Sequence, residues 1–473
     1  MADKEAKSEV IWLYEAQQKI HPRSVSGLFA RWRWGLVALT QALFYGLPWL
    51  QWNDRQAVLF DLTSRRFYIF DLVLYPQDFI YLTGLLLVSA YALFLVTAVA
   101  GRVWCGFACP QTVYTEIFIW IEKLFEGDRH KRIKLDAAPW SFNKLWRKGG
   151  KQAAWIGLGL WTGFSFVGYF TPIKELWGEA FTLSFGPWEW FWVLFYGFAT
   201  YGNAGFMREQ VCKYMCPYAR FQSAMFDKDT LIISYDTERG EPRGSRSKKT
   251  DAKAAGLGDC IDCTLCVQVC PTGIDIRQGL QYECIGCAAC IDVCDQVMDK
   301  MSYPRGLIRY DTENGLAQHL TPTQKLRRIF RPRVLIYSTV LFALCAALLT
   351  SLLTRSPVRL DVVRDRGVMA RLVEDGYVEN LYRLQIMNTT ERAQRFRLGV
   401  EGLDGIALAE TRDVKVDAAE ARWIAVAVRV PPETAVKAGT GAHPIRFLLR
   451  DGDVDEQGKS LQVQEKSTFV VPR

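Results

Sequence analysis

The chain alternates long apolar runs with strongly polar stretches. A bilayer-crossing helix needs roughly 17–25 apolar residues, and five runs qualify: about Leu36 to Trp52, Phe79 to Ala100, Ala153 to Phe170, Trp188 to Phe206 and Val334 to Leu353. Each predicts a helix, the first interrupted by Pro48, which disfavours a helix interior. Tryptophans crowd the ends of these runs (Trp32, Trp34, Trp49, Trp52, Trp104, Trp155, Trp188, Trp190), as in an interfacial aromatic belt. From about Pro357 the period changes. The segments "NLYRLQIMN", "QRFRLGVEG", "RWIAVAVRV" and "HPIRFLLRD" alternate apolar with polar residues between Asn, Gly and Pro, which predicts a β-sandwich.

Lys and Arg set the orientation of such runs. Ten lie between the second and third (Arg102, Lys123, Arg129, Lys131, Arg132, Lys134, Lys144, Arg147, Lys148, Lys151), against Lys174 alone between the third and fourth. The basic side is the expected cytoplasmic one, despite Arg55, Arg65 and Arg66 after the first run, where Asp54, Asp61 and Asp71 accompany them. With an odd number of spans the segment between the fourth and fifth is cytoplasmic, and the domain from about Thr354 is periplasmic. The opening "MADKEAKSEV" has no apolar core and does not read as a signal peptide. Net charge is +8, but the basic residues border apolar runs and no aromatic-basic recognition motif occurs, which favours membrane lipid and excludes nucleic acid as a partner. The expected multi-domain order is an N-terminal cytoplasmic segment 1–35, a four-span membrane domain 36–235, a linker 236–258, a ferredoxin domain 259–310, a second linker 311–333, a fifth membrane helix 334–353 and a periplasmic sandwich 354–473.

Of thirteen cysteines, twelve fall in motifs, and none follows Cys345. That distribution points to metal ligands in a reducing compartment rather than disulfides. Cys345, inside the fifth run, reads as a small packing residue. "CIDCTLCVQVCP" and "CIGCAACIDVCD" repeat C-x2-C-x2-C-x3-C, the bacterial two-cluster ferredoxin pattern in which the fourth cysteine of each run ligates the other cluster. One 4Fe-4S cluster is thereby assigned to Cys260, Cys263, Cys266 and Cys294, and the other to Cys270, Cys284, Cys287 and Cys290. Asp295 replaces the second proline of the pattern and removes no ligand. Zinc sites would separate two C-x2-C pairs by longer gaps. Adjacent clusters relay single electrons, here from a separately folded segment behind a Gly- and Lys-rich linker.

"GRVWCGFACPQTVYTEIF" and "MREQVCKYMCPYARFQ" share C-x3-C-P, each just after an apolar run. Residues four apart share a helical face, and proline biases the residue before it away from helical geometry. If the two repeats pack about a pseudo-twofold axis, Cys105, Cys109, Cys212 and Cys216 converge at the cytoplasmic membrane surface. Soft thiolates there suit Cu(I), zinc or a further iron-sulfur cluster. None of the four histidines lies in an apolar run, which excludes a bis-histidine membrane haem. No nucleotide-binding glycine fingerprint precedes a helix in the soluble parts.

On the two C-x3-C-P segments, the paired ferredoxin runs and the terminal "YRLQIMNTT" region, the chain closely resembles the cytochrome c oxidase accessory proteins of the FixG, RdxA or CcoG type. The resemblance implies a bacterial inner-membrane protein with an immunoglobulin-like C-terminal domain. It further implies a cupric reductase that draws on a cytoplasmic electron donor to make Cu(I) for a cbb-type cytochrome c oxidase, with oxidase subunits or copper-delivery factors as partners. The four C-x3-C-P thiols are then the expected metal-holding, catalytic residues. Two alternatives stay open at this point: a quinone-linked ferredoxin conduit to a periplasmic reductase, and a non-enzymatic assembly scaffold.

Overall fold

Apolar runs of these lengths form helices, and their ends are set by proline, glycine and distant caps. The structure is a computed structural model that describes residues 19–248, 256–365, 370–410, 413–451 and 462–472. The opening "MADKEAKSEV" and linker positions 249–255 lie outside the described residues. Two compact units result: Met1–Gly46, Leu86–Val167 and Glu179–Leu344 form the first, and Leu47–Leu85, Gly168–Gly178 and Cys345–Arg473 the second.

The N-terminal half of the chain contributes α1 (Leu28–Gly46), α2 (Phe79–Ala100), α3 (Val103–Phe107), α4 (Pro110–Glu126), α5 (Arg129–Ala137), α6 (Phe142–Val167), α7 (Ile173–Thr182) and α8 (Pro187–Gly202). The first apolar run is helical from Leu28 and ends before Pro48, which lies in a separate short turn, Leu47–Trp49. Its expected span of Leu36 to Trp52 is corrected accordingly. Helices cover most of each of the other four apolar runs. Two stretches, Pro76–Ala100 and Pro332–Leu353, are long and apolar enough to cross a membrane, with mean hydropathies of 2.2 and 2.1. By contrast α6 carries Lys144, Arg147, Lys148 and Lys151 in its first turns, and α8 spans 16 residues. These two helices pack backbone to backbone: a Cβ on Gly163 would sit 2.1 Å from the Val193 carbonyl oxygen, and one on Gly159 2.7 Å from that of Gly197. Small residues four apart permit this approach.

Beside this pair an ion network fixes α4. Glu122 and Glu126 are buried, and Glu122 meets Arg132 at 2.7 Å and Arg208 at 3.0 Å while Glu126 meets Lys151 at 2.9 Å. Burial pushes Glu122 up, but Arg208, Arg132 and Lys151 outweigh it and hold the carboxyl below its ordinary range.

The cysteine-rich segment is bracketed by strands Ile232–Tyr235 and Ile308–Asp311, which pair antiparallel. It belongs to the same unit as the helices that precede it, which corrects the expectation of a separately folded domain. The physical reason is a set of direct contacts. Asp292, in helix Ala289–Met301, accepts hydrogen bonds from the backbone N–H groups of Phe29 (3.1 Å) and Ala30 (2.7 Å), so a carboxylate from far along the chain satisfies the open first turn of α1. Arg33 of α1 donates to the Cys287 carbonyl at 2.6 Å.

In the second unit two antiparallel sheets form the expected sandwich. One has the order Ala407–Leu408, Ala421–Val430, Val378–Asn388, Val358–Arg364; the other has Asp413–Val416, Gln394–Glu401, Gly441–Asp451, Gln462–Val471. Tyr382, Leu384, Ile386, Phe396, Leu398, Phe447 and Phe469 fill its core. A three-stranded meander, Val58–Asp61, Arg66–Ile69 and Leu72–Leu74, was not expected; its Leu59, Tyr68 and Val73 pack with Tyr75 on Met387 and Ala419. Cys345 is exposed, so its expected packing role is corrected.

Candidate iron-sulfur and thiol centre

The two C-x2-C-x2-C loops have matching backbones. Asp262 and Thr264 in the first run take φ of 51° and 56°, and Gly286 and Ala288, at the same places in the second, take 69° and 59°. Left-handed residues alternating with ordinary ones curl successive amides to one side, the nest geometry found at anionic and iron-sulfur sites. Each loop wraps a cavity. Cys260, Cys263, Cys266 and Cys294 line one, together with Tyr235, Val297 and Leu307. Cys270, Cys284, Cys287 and Cys290 line the other, with Ile233, Ile274 and Ile276. The fourth cysteine of each run thus faces the partner loop's cavity, and Cys266 lines both. Burial pushes the Cys266 thiol up to about 11 and Cys294 to about 12. Such thiols release their protons when a metal replaces them. Four convergent sulfurs in an apolar cavity are the donor set a 4Fe-4S cluster requires.

The C-x3-C-P pairs are built differently from a straight helical face, and that part of the sequence reading is corrected. Cys105 lies in α3, but Cys109 is extended (φ −62°, ψ 130°) and Pro110 starts α4. Cys212 sits in a π-helical turn, Val211–Met215, and Cys216 is extended (φ −79°, ψ 109°) before helix Pro217–Met225. In both repeats proline breaks the helix and leaves the second sulfur at a helix N-terminus. Burial raises the Cys109 thiol, opposed by the nearby amides of Gln111 and Thr112, which favour the thiolate.

Side chains outside the motifs join the two repeats. Gln111 donates to the carbonyls of Asn203 (3.0 Å) and Arg208 (3.2 Å), and the Cys105 thiol donates to Gln222 Oε1 at 3.4 Å. Arg102, 6% exposed, donates to the Ala219 carbonyl. The four thiols are brought within electrostatic range of one another: Cys105 feels Cys109 and Cys216, and Cys212 feels the other three. Among the described residues, no three lie close enough to share a single metal ion.

The thiol repeats also touch the cluster loops. A Cβ on Gly106, between Cys105 and Cys109, would fall 2.6 Å from the Gly286 oxygen and 2.8 Å from Cys287 Cα. Cys105 and Cys212 pack on the cluster formed by Val269, Ile285, Cys287, Ala289 and Val293. Sequence reading missed Arg33, Arg102, Gln222 and Asp292, which lie outside every cysteine spacing; Gly106 alone left a signal, as the small residue inside the first motif.

Two four-cysteine cavities beside a third group of four thiols, on a chain with strongly apolar helices, define an iron-sulfur protein of the 4Fe-4S class. Family profiles agree: residues 207–313 match one described as "4Fe-4S dicluster domain", residues 82–131 one described as "4Fe-4S binding domain", and residues 348–472 one described as an "IG-like fold at C-terminal of FixG". The nitrogen fixation protein FixG of Rhizobium meliloti is 39% identical over 96% of this chain and 91% of its own length. Proteins RdxA and RdxB of Cereibacter sphaeroides are 38% and 40% identical, over 96% and 84% of this chain and 97% and 84% of theirs. The chain belongs to the FixG/RdxA family. A crystal structure of a FixG-related protein from Vibrio parahaemolyticus aligns with 24% of this chain and 97% of its own, at 24% identity and a TM-score of 0.21.

Proposed function

We propose that the protein is a membrane-bound metalloreductase. Electrons from a cytoplasmic donor pass through the two ferredoxin sites to the substrate Cu(II) at or near Cys105, Cys109, Cys212 and Cys216, which leaves as Cu(I) for a cbb-type cytochrome c oxidase. Each copper ion takes one electron, and the donor replaces it. When bound, the clusters supply single-electron storage. The chain's own residues supply the route. Cys266 lines both cluster cavities, and Gly106 seats the first thiol motif directly on the Gly286–Cys287 backbone. That contact carries the reading, because it joins the cluster loops to the only other group of thiols in the motifs. Thiolates favour Cu(I) over Cu(II), and Met215, 55% exposed beside Cys216, offers a thioether of the same softness.

In this reading five helices cross the membrane, the cysteine-rich segment is cytoplasmic and the sandwich periplasmic. The distribution of Lys and Arg supports it. So does the grouping of Leu47–Leu85 and Gly168–Gly178, the loops after the first and third spans, with the C-terminal domain in one unit.

The test is anaerobic. Dithionite-reduced, desalted protein is titrated with Cu(II) while a chelator traps Cu(I) and the visible band reports the clusters. Reoxidation of that band in step with Cu(I) is expected, and equal Cu(I) from a protein carrying Cys287→Ser and Cys294→Ser would show that thiols alone are the reductant. One observation favours a second reading: a cavity of about 140 Å³ lined in part by Arg33, Trp34, Glu116, Trp120, Cys212 and Cys287 would set a quinol ring against a thiol and a cluster ligand together. Copper-independent oxidation of a soluble quinol analogue by the oxidised protein would select it.

A further inference from the structure

Burying an arginine is costly unless its charge and donors are met, and this chain buries three around one cavity. The cavity of about 140 Å³ is lined by Arg33, Arg132 and Arg208, whose side chains are 7%, 2% and 10% exposed, and also by Arg23 and Lys123. A single water needs about 10–15 Å³, so the space admits a polyatomic group.

Two of the guanidinium groups are incompletely paired. Arg33 gives Nη1 to the Cys287 carbonyl at 2.6 Å and holds Nη2 3.8 Å from Glu116. Arg132 gives Nη1 to Glu122 at 2.7 Å and Nη2 to the Pro22 carbonyl. In both, Nε is buried with no hydrogen-bond partner among the described residues. Leaving such a donor unmet costs about 1–3 kcal/mol, and more on a charged group. Two of them on one cavity call for an acceptor with several oxygens.

Charge gives the sign of that acceptor. The lining acids are Glu116, Asp128 and Glu209, three against five cations, and counting Glu122, which pairs with Arg132 and Arg208, still leaves the cations in excess. Asp128 is already engaged by the Ser24 amide at 3.0 Å. A neutral quinol in this cavity would leave the excess uncompensated, whereas the oxygens of a phosphate accept from guanidinium donors and carry the opposite charge.

The cavity also has an apolar side. Trp34 of α1 and Trp120 of α4 line it, meet edge to face with ring centroids 6.2 Å apart, and are 38% and 51% exposed. Exposed tryptophans beside a basic pocket between helices are the features of a site at headgroup level on the cytoplasmic side of a membrane.

We infer that this cavity binds a phosphate group, carried by an anionic phospholipid or by a soluble phosphate compound, with Arg33 and Arg132 as its anchoring donors. The lipid source rests on the orientation proposed above; the phosphate chemistry does not. Cys287 lines the same cavity, so the bound anion stands beside the second ferredoxin site and disfavours an added electron there.

The test uses full-length protein with its clusters intact, stripped of lipid in detergent. It is titrated with phosphatidylglycerol, with phosphatidylcholine, whose choline cancels the phosphate charge, or with inorganic phosphate, and read by native mass spectrometry and by the thermal midpoint of the visible band. One phosphatidylglycerol per chain, held about tenfold or more tighter than phosphatidylcholine and raising the midpoint, is expected for the lipid source. The same rise from inorganic phosphate, with no preference between the lipids, identifies the soluble source. Arg33→Met should weaken binding about tenfold or more. Because that change also removes the bond to the Cys287 carbonyl, Lys123→Gln, at an exposed side chain, is the second variant and should weaken binding about two- to fivefold. Redox titration of the saturated protein should move one of its two ferredoxin sites to a more negative potential. Equal retention of both lipids with no effect of phosphate, unchanged affinity in both variants, or potentials that stay put at saturation would each overturn the inference. No arm uses copper, so its failure leaves the proposed reductase untouched, and a protein unable to reduce Cu(II) leaves the phosphate site standing.

Discussion

Gly106→Ala is the smallest change that addresses the contact between the thiol repeats and the cluster loops. The added Cβ would lie 2.6 Å from the Gly286 oxygen, 2.7 Å from its carbonyl carbon and 2.8 Å from Cys287 Cα, whereas ordinary contact begins at 3.4 Å, so the backbones must part by about 0.8 Å. All three neighbours are backbone atoms, and the loop that would have to yield is held by Arg33 on the Cys287 carbonyl and by Tyr310 on the Gly286 carbonyl. Overpacking of this kind costs about 1–3 kcal/mol. In a unit of this size each kcal/mol moves a thermal midpoint by roughly 2–4 °C, so a fall of about 2–12 °C is expected. Even the lower cost reduces the ratio of docked to undocked arrangements about fivefold, and electron passage to the thiols should slow while iron in the ferredoxin cavities stays unchanged. Gly157→Ala serves as the control, since a Cβ there meets nothing within 4 Å. The midpoint is read from thermal bleaching of the visible band, and the passage from its reoxidation by Cu(II). Should the two variants match in both readouts, the contact is not what couples the repeats to the clusters.

Asp292→Ala removes two charge-assisted bonds to the first turn of α1, one buried and one partly buried, and should cost about 2 kcal/mol or more, with Asp292→Asn milder; the midpoint of cluster bleaching measures both, and no change would mean that α1 is capped by other means. Cys270→Ser and Cys294→Ser should each perturb the cluster wrapped by the opposite run, seen as loss of one paramagnetic signal while the other persists; identical spectra from the two variants would contradict the crossed ligand sets. Reporters fused after Leu257 and after Pro431 should register cytoplasm and periplasm respectively, and finding both on one side would remove a span from the proposed topology.

The parts of this chain that were legible in its sequence are those whose chemistry is local. The ferredoxin runs place their sulfurs through spacings of two and three residues, and the sandwich strands declare themselves by alternation. Contacts that join distant segments left little trace. The cap of α1 is Asp292, and nothing near Leu28 hints that its amides are satisfied from so far along the chain. Trp155 illustrates the same blindness: it reads as a belt tryptophan, yet it is 2% exposed, stacked on Phe118 with Lys151 over its ring, because the ion network at Glu122 draws the start of α6 inward. The meander strands at Val58–Leu74 are only three or four residues long and lack the period-two alternation of the sandwich strands, and they lie between two apolar runs whose length draws the reading toward the membrane.

The two C-x3-C-P repeats are equivalent in spacing and unequal in structure, and the inequality gives the centre a direction. Proline fixes the second cysteine of each pair in the same extended state at the head of a helix, so Cys109 and Cys216 are matched. The first cysteines are not: Cys105 is in an α-helical turn and Cys212 in a π-helical one. The residues between them differ to the same purpose. Where the first repeat has Gly106 and lies against the Gly286–Cys287 backbone, the second has Lys213 at the equivalent place and turns Tyr214 and Met215 outward, at 62% and 55% exposure. The insertion of the first repeat therefore meets the cluster loops and that of the second is exposed, although Cys212 itself packs on Cys287 and its neighbours. Exchanging the two insertions, "GFA" for "KYM", would bury a lysine against the cluster loop and should abolish transfer to the thiols even if all four sulfurs remain in place. A swapped protein that still passed electrons at the wild-type rate would show that the repeats are interchangeable and that the centre has no inner and outer face.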